Sequence, residues 1–330
     1  MFAQVDSRYF RLRPFAAARR VASRALFEGR PITTGGRWIN PLILALMRVE
    51  KRLPQLRPVE QPVFIVGIGR SGTTILGTIL SLHRDVGYLS EPKALWHSIF
   101  PEEDVSGNYS GGPARYRLCA EDATELVRRA ARRLFGVYLT ATLARRAIDK
   151  DPELVFRVPF VRAIFPDARF VFLIRDGWST CHSISEWSKN HGRRVNGEVH
   201  DWWGVDNRKW KLMVDQLVPG DPSFSGIVDA VTTLHTHIDM AVVEWIVTMR
   251  EGLRQLEEHA DCVYPLRYES LVANPQRELC TLLDFCRLPQ DDKVIAYAQA
   301  VLAQRSSLPR FSVNEAIAPL FLDTLARLGY

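Results

Sequence analysis

Short apolar runs alternate with amphipathic stretches along most of the chain. Val63-Phe64-Ile65-Val66 and Phe170-Val171-Phe172-Leu173-Ile174 are β-branched and aromatic and are bounded by turn residues, so each predicts a buried strand. Val263 to Tyr268 predicts a third strand. The segment from Val155 to Pro159 is short and apolar except for Arg157, and it reads as another strand end. Helical spacing fits residues 16–27, 41–52, 120–135, 139–148, 227–258 and 274–286, and further helices are expected after Thr74 and after Ser179. Strands alternating with helices predict an α/β fold, with a mostly parallel central sheet and helices on both faces. Ligands of such sheets sit beyond the carboxyl ends of the strands. Arg70, Arg157, Arg175 and Tyr268 all fall there.

The pattern also divides the chain. Residues 1–60 read as a basic helical leader, and residues 61–330 as the main domain. A Trp-rich insertion at about 186–226 (Trp187, Trp202, Trp203, Trp210) reads as a subdomain with an aromatic core that caps an acceptor site. Residues 102–115 read as a glycine-rich surface loop. The net charge of +6 is unevenly spread, with about twelve Lys/Arg against about four Asp/Glu in residues 1–60. A basic arm on a near-neutral body suits anionic lipid, nucleic acid or another subunit, or simply a solvated helical surface. Five cysteines without a CxxC pair predict buried free thiols in a reducing compartment and no structural zinc. The start of the chain lacks a secretory apolar core, which predicts a cytoplasmic protein. Phe2, Tyr9, Phe10, Phe15 and the leader arginines leave room for peripheral membrane contact.

Candidate chemistry begins at Gly67-Ile68-Gly69-Arg70-Ser71-Gly72-Thr73-Thr74, between the first strand and a helix. A strand, glycine turn and helix aim backbone N–H groups and a helix N-terminus at one point, which suits phosphate or sulfate. Gly67, Gly72 and Thr74 match the Walker pattern GxxxxGK[ST], but Thr73 replaces its lysine. The cation has moved to Arg70. A second anion site is predicted at Arg175, after the strongest strand, with Ser183 eight residues on. Glu91, in Ser90-Glu91-Pro92, is either a general base or part of a helix start favoured by the helix dipole.

Arg70-Ser71-Gly72-Thr73-Thr74 and Arg175-Asp176-Gly177 with His182-Ser183 resemble the two cofactor motifs of sulfotransferases that use 3′-phosphoadenosine-5′-phosphosulfate (PAPS). The tyrosylprotein and bacterial branch is the nearest likeness. Tyr268-Glu269, Leu271-Val272, Pro275 and Leu282-Leu283-Asp284-Phe285 support it. The resemblance covers roughly residues 62–100, 155–190 and 262–290. It implies a P-loop-like sulfotransferase fold with PAPS as co-substrate and no metal. It also implies that Arg70, Ser71, Gly72, Thr73 and Thr74 bind the 5′-phosphosulfate, Arg175 and Ser183 the 3′-phosphate, and Tyr268 the nucleotide. Glu91 falls where that branch has its base; other sulfotransferases use a histidine, so the resemblance leaves His83 and His97 as competitors for that role. Arg157 falls where the family carries a catalytic lysine, and arginine is not its equivalent. Ser307 and Arg310 are candidates for a C-terminal cofactor loop. The implied partner is a hydroxyl-bearing acceptor (glycan, lipid, phenol or peptidyl tyrosine), and no nucleic acid is expected. Two other readings stand beside it: an ATP-using P-loop kinase, and a non-catalytic membrane- or nucleic-acid-binding module with a degenerate loop.

Overall fold

A computed structural model describes residues 2–31, 33, 35–303 and 310–330. Five strands make the central sheet: β1 (Val63–Gly67), β2 (Val86–Ser90), β3 (Arg146–Lys150), β4 (Arg169–Ile174) and, last in the chain, Val263–Arg267. Their spatial order is β2, β3, β1, β4 and the last strand, and every neighbouring pair is parallel. The expected parallel α/β architecture is therefore present. β1 is buried at all five positions, as a parallel strand covered on both faces should be. Its alternation separates two cores: Phe64 and Val66 join Phe170 and Phe172 on one face, while Val63 and Ile65 join Val171 and Leu173 on the other.

The helices before the sheet are α1 (Ser7–Leu12), α2 (Pro14–Leu26) and α3 (Asn40–Glu50). Between strands come α4 (Thr73–Ser81), α5 (Lys93–Ile99), α6 (Glu125–Ala141), α7 (Val158–Ile164) and α8 (Gly177–His191). The insertion follows as an antiparallel sheet of β5 (Arg193–Val195), β6 (Glu198–Asp201) and β7 (Gly204–Val205), with α9 (Arg208–Gln216) behind it. Trp203 and Trp210 form its buried aromatic core, with ring centroids 6.0 Å apart. Next come α10 (Val228–Thr232), α11 (His237–Glu258) and the last sheet strand, β8.

Three expected elements differ. The helix read at 139–148 does not exist: α6 ends at Ala141, Leu143 turns into the left-handed region (φ 52°), and β3 begins at Arg146. The segment around Arg157 is a 3-10 helix (Pro152–Arg157) rather than a strand end, opened by Pro152 and by Asp151, whose carboxylate accepts from Glu153 N–H. The helix read at 227–258 is broken between α10 and α11, where Thr236 caps the second piece through Asp239 N–H.

The basic leader is packed into the body. Tyr9 is fully buried, with its hydroxyl 2.9 Å from Ser81 Oγ, so it is not available for membrane contact. Arg13 holds Asp291 at 2.7 Å, and Arg20 holds Glu28 through two hydrogen bonds with both side chains buried. The Phe2 side chain lies outside the described residues.

Candidate active site

β1 lies between β3 and β4, and the chain leaves it through α4 to reach β2 on the far side of β3. The order therefore reverses beside β1, and the crevice beyond its carboxyl end is where such sheets bind ligands. The glycine loop sits there. Gly72 (φ 103°) could not carry a side chain, because a Cβ would stand 2.4 Å from the Tyr268 ring. A Cβ on Gly69 would stand 2.4 Å from the Trp202 ring. The two aromatics thus close on a bare backbone. Arg70 itself is left-handed (φ 68°), which turns its side chain out of the loop.

Arg70, Arg175, Ser183 and Tyr268 come together, although they lie on three separate segments. Arg70 Nε donates to Ser183 Oγ at 3.2 Å. Arg175 donates to the Arg70 carbonyl at 2.8 Å, and its guanidinium lies 4.5 Å from the Tyr268 ring centroid. Asp176 does not pair with Arg175; its carboxylate caps α8 through Trp178 and Ser179 N–H groups. Ser71 is buried and donates to the Ile68 carbonyl at 2.6 Å, so its hydroxyl shapes the loop. Thr73 is buried in the first turn of α4, and Thr74 faces the cavity.

That cavity, of about 310 Å³, runs from Gly67, Gly69 and Thr74 to Glu91 and Lys150 at the ends of β2 and β3. Its farther walls come from the insertion (Trp187, Trp202), the 102–115 loop (Tyr109) and the leader (Arg30). His83 and His97 do not line it. His83 is buried against the Pro289 carbonyl at 2.9 Å, and His97 stacks on Tyr109. Glu91 is not a helix-start residue: it follows β2 in the left-handed region (φ 49°), and α5 begins at Lys93. Its N–H donates to the Lys150 carbonyl at 2.7 Å, and its carboxylate accepts from Lys150 Nζ. The Glu91 side chain is half exposed; its partial burial pushes the carboxyl up, but the Lys150 charge and hydrogen bond, with Lys93 behind, leave it below the ordinary value of 4.5.

Lys93 continues the network. It binds Asp151 at 2.9 Å and Glu153 at 2.6 Å, and Glu153 also faces Lys209 at 3.6 Å. Burial opposes ionisation of Glu153, yet Lys93, Lys209 and Arg157 pull its carboxyl down to about 2. Lys209 reaches Glu244 at 2.6 Å, and Glu244 accepts from Trp202 Nε1 at 2.5 Å. Buried charges this dense hold position only while each is paired.

Arg157 lies elsewhere. Its side chain is 1% exposed, binds Glu103 at 3.0 Å, and donates to the carbonyls of Glu103, Arg115 and Tyr116. The cation beside Glu91 is Lys150, which the sequence reading missed. One signal was available: Ala147-Ile148 before Asp149-Lys150, after a helix of ordinary length, is the end of a short buried strand. Arg310 places its guanidinium 5.4 Å from the Trp178 ring centroid, and Ser307 lies outside the described residues.

A model of the sulfotransferase family matches residues 62–224, the span that contains the loop, Glu91, Lys150, Arg175 and Ser183. The chain belongs to the sulfotransferase family. The protein-tyrosine sulfotransferase of Drosophila melanogaster is 31% identical over 304 residues, covering 87% of this chain and 52% of that protein. Protein-tyrosine sulfotransferase 1 of Danio rerio is 24% identical over 271 residues, covering 80% of this chain and 64% of that protein. The chain therefore spans less than two-thirds of the length of either relative. Among solved structures, sulfotransferase STF9 from Mycobacterium avium is similar with a TM-score of 0.49 and 16% identity, over 98% of this chain and 92% of that one. Among the described residues no cluster of three or more His, Cys, Asp or Glu is arranged to hold a metal.

Proposed function

We propose that this family member transfers a sulfuryl group from PAPS to an acceptor hydroxyl, with Glu91 as the general base. The observation that carries the reading is the Glu91–Lys150 pair on the wall of a cavity that begins at the glycine loop. The residues fit PAPS: the loop is a bare-backbone cradle where added Cβ atoms would collide with Trp202 and Tyr268, and two arginines and a serine cluster beside it. Arg70 and the first-turn N–H groups of α4 suit the phosphosulfate end. Arg175 and Ser183 suit the 3′-phosphate, and Tyr268 offers a ring to the nucleotide.

PAPS, when bound, supplies the activated sulfur. Glu91 takes the acceptor proton as the acceptor oxygen bonds sulfur and the bond from sulfur to the phosphate oxygen breaks. Lys150 keeps Glu91 ionised and places a positive charge where the transferring and leaving oxygens gain negative charge. Arg157 instead holds the 102–115 loop through Glu103 and the Arg115 carbonyl.

The names of the curated relatives make peptidyl tyrosine the first acceptor to try, followed by glycans, lipids and phenols. Five free cysteines support a reducing, cytoplasmic setting. The test is a panel of these acceptors with sulfur-labelled PAPS. Label should pass to one acceptor class with the wild type and not with Glu91→Gln. Label retained in PAPS across the panel, with undiminished phosphate transfer from ATP, would reject the reading.

A further inference from the structure

Among the described residues, one face of α3 has no partner in the fold. Ile43 and Met47 are buried against the body, and Ser98 Oγ meets Met47 Sδ at 3.4 Å. Trp38, Leu42, Leu46, Val49, Leu53 and Leu56 are all exposed, Trp38 at 83%. On α3 the spacing of Leu42, Leu46 and Val49 keeps them on one side of the helix, while Trp38 precedes it and Leu53 and Leu56 follow it. Singly exposed leucines are ordinary, but six exposed apolar side chains within nineteen residues, three of them on one side of one helix, are not.

The charges around this face have one sign. Arg48 is exposed on the side of α3 between this face and the buried one, Arg52 is exposed just past the helix, and Arg37 is exposed just before Trp38. Glu50 is the sole acid between Glu28 and Glu60, and it is partly buried. A second copy docked about a twofold axis would bring Arg48 and Arg52 towards their equivalents, which disfavours it. An anionic bilayer complements both halves of the surface: apolar side chains enter the acyl boundary, arginines meet phosphates, and a tryptophan sits at the headgroup level. Among the described residues no helix is long and apolar enough to cross a membrane, so the contact would lie in the interface plane.

We propose that the outer face of α3, from Trp38 to Leu56, docks this protein on an anionic lipid surface. This moves the membrane contact away from Tyr9, whose ring is buried, to the helix expected at 41–52. Arg37 also donates to the Asn108 carbonyl at 2.9 Å, and Asn108 lines the active cavity, so the docking face begins at the cavity wall. The proposal concerns binding and holds whether or not PAPS is the donor.

The experiment is flotation of the full chain with vesicles of phosphatidylcholine alone, or mixed with phosphatidylglycerol. The wild type should float with the mixed vesicles and much less with the neutral ones. Leu42→Gln with Leu46→Gln should weaken this binding about a hundredfold, and Arg48→Glu with Arg52→Glu at least about thirtyfold. Leu126→Gln, at a still more exposed leucine on α6, should leave it unchanged. Circular dichroism of each variant confirms folding. Failure of the wild type to bind, or equal binding by all variants, would overturn the proposal. So would a wild-type dimer in sedimentation that Leu42→Gln with Leu46→Gln converts to monomer, because a second copy would then cover the face.

Discussion

The Glu91 carboxylate and the Lys150 ammonium share a hydrogen bond just beyond the carboxyl ends of two neighbouring parallel strands. Register sets this up. Ser90 stands opposite Lys150 across β2 and β3, so Glu91 is the first residue past the sheet. The left-handed backbone at Glu91, tied by its N–H to the Lys150 carbonyl, turns the side chain back towards that lysine. A non-glycine residue in this region costs about 1–3 kcal/mol, and such strain is concentrated at functional sites.

Replacing Glu91 by Gln keeps the side-chain shape and removes the base. Turnover should fall by about 10²–10⁴, while affinity for adenosine 3′,5′-bisphosphate stays at the wild-type level. Steady-state rates and a binding titration measure the two separately. An equal loss in both would make Glu91 a structural residue.

Lys150 and Arg157 should separate chemistry from stability. Lys150→Met should lower turnover by about a hundredfold with a modest change in denaturation midpoint, because the Glu91 side chain left behind is half exposed. Arg157→Met strands buried Glu103, and should cost about 3–5 kcal/mol in urea unfolding at pH 8. Burial lifts the Glu103 carboxyl to about 7, against the charges of Lys93 and Arg157, so the same variant should lose less at pH 5, where Glu103 is neutral. Turnover lost with Arg157→Met in a protein of unchanged stability would return the catalytic cation to Arg157.

The pH profile follows from the same pair. A base held below 4.5 stays ionised through neutrality and loses activity only as pH falls through its own value. The acid limb of turnover should therefore lie below pH 4.5. Its stability contribution runs the same way: a depressed carboxyl stabilises the fold above the unfolded value and stops doing so as acid protonates it. Glu153, drawn down to about 2, adds to that acid sensitivity. Intrinsic fluorescence across the titration distinguishes unfolding from loss of the base. An acid limb near pH 7 would instead point to a carboxyl like Glu103.

Local sequence revealed the loop and the Arg175 motif because each requires a particular run of residue types. β1 and β4 were legible because both faces of the sheet bury them, leaving continuous apolar runs. β2 and β3 were not. β2 contains Gly87, where an added Cβ would stand 2.8 Å from Tyr138 and Ala144, so a branched residue has no room there. β3 carries Arg146, Asp149 and Lys150, polar residues that read as surface. Asp149 is buried beneath Trp96 Nε1 at 2.7 Å, and Lys150 belongs to the site. Lys150 was hidden because it becomes functional only through pairing with β2. The leader's part in the cavity, through Arg30 and through Glu28 accepting from Ser90 N–H at 2.9 Å, was equally non-local.

The most direct test of the donor assignment is calorimetric titration with adenosine 3′,5′-bisphosphate in the presence of a chelator, for the wild type and for Arg175→Ala. The account predicts one-site binding without metal by the wild type. Removing the guanidinium that joins the Arg70 carbonyl and the Tyr268 ring should weaken it by about 2–3 kcal/mol, thirtyfold or more. No binding by the folded wild type, or binding of ATP that appears only with magnesium, would contradict it.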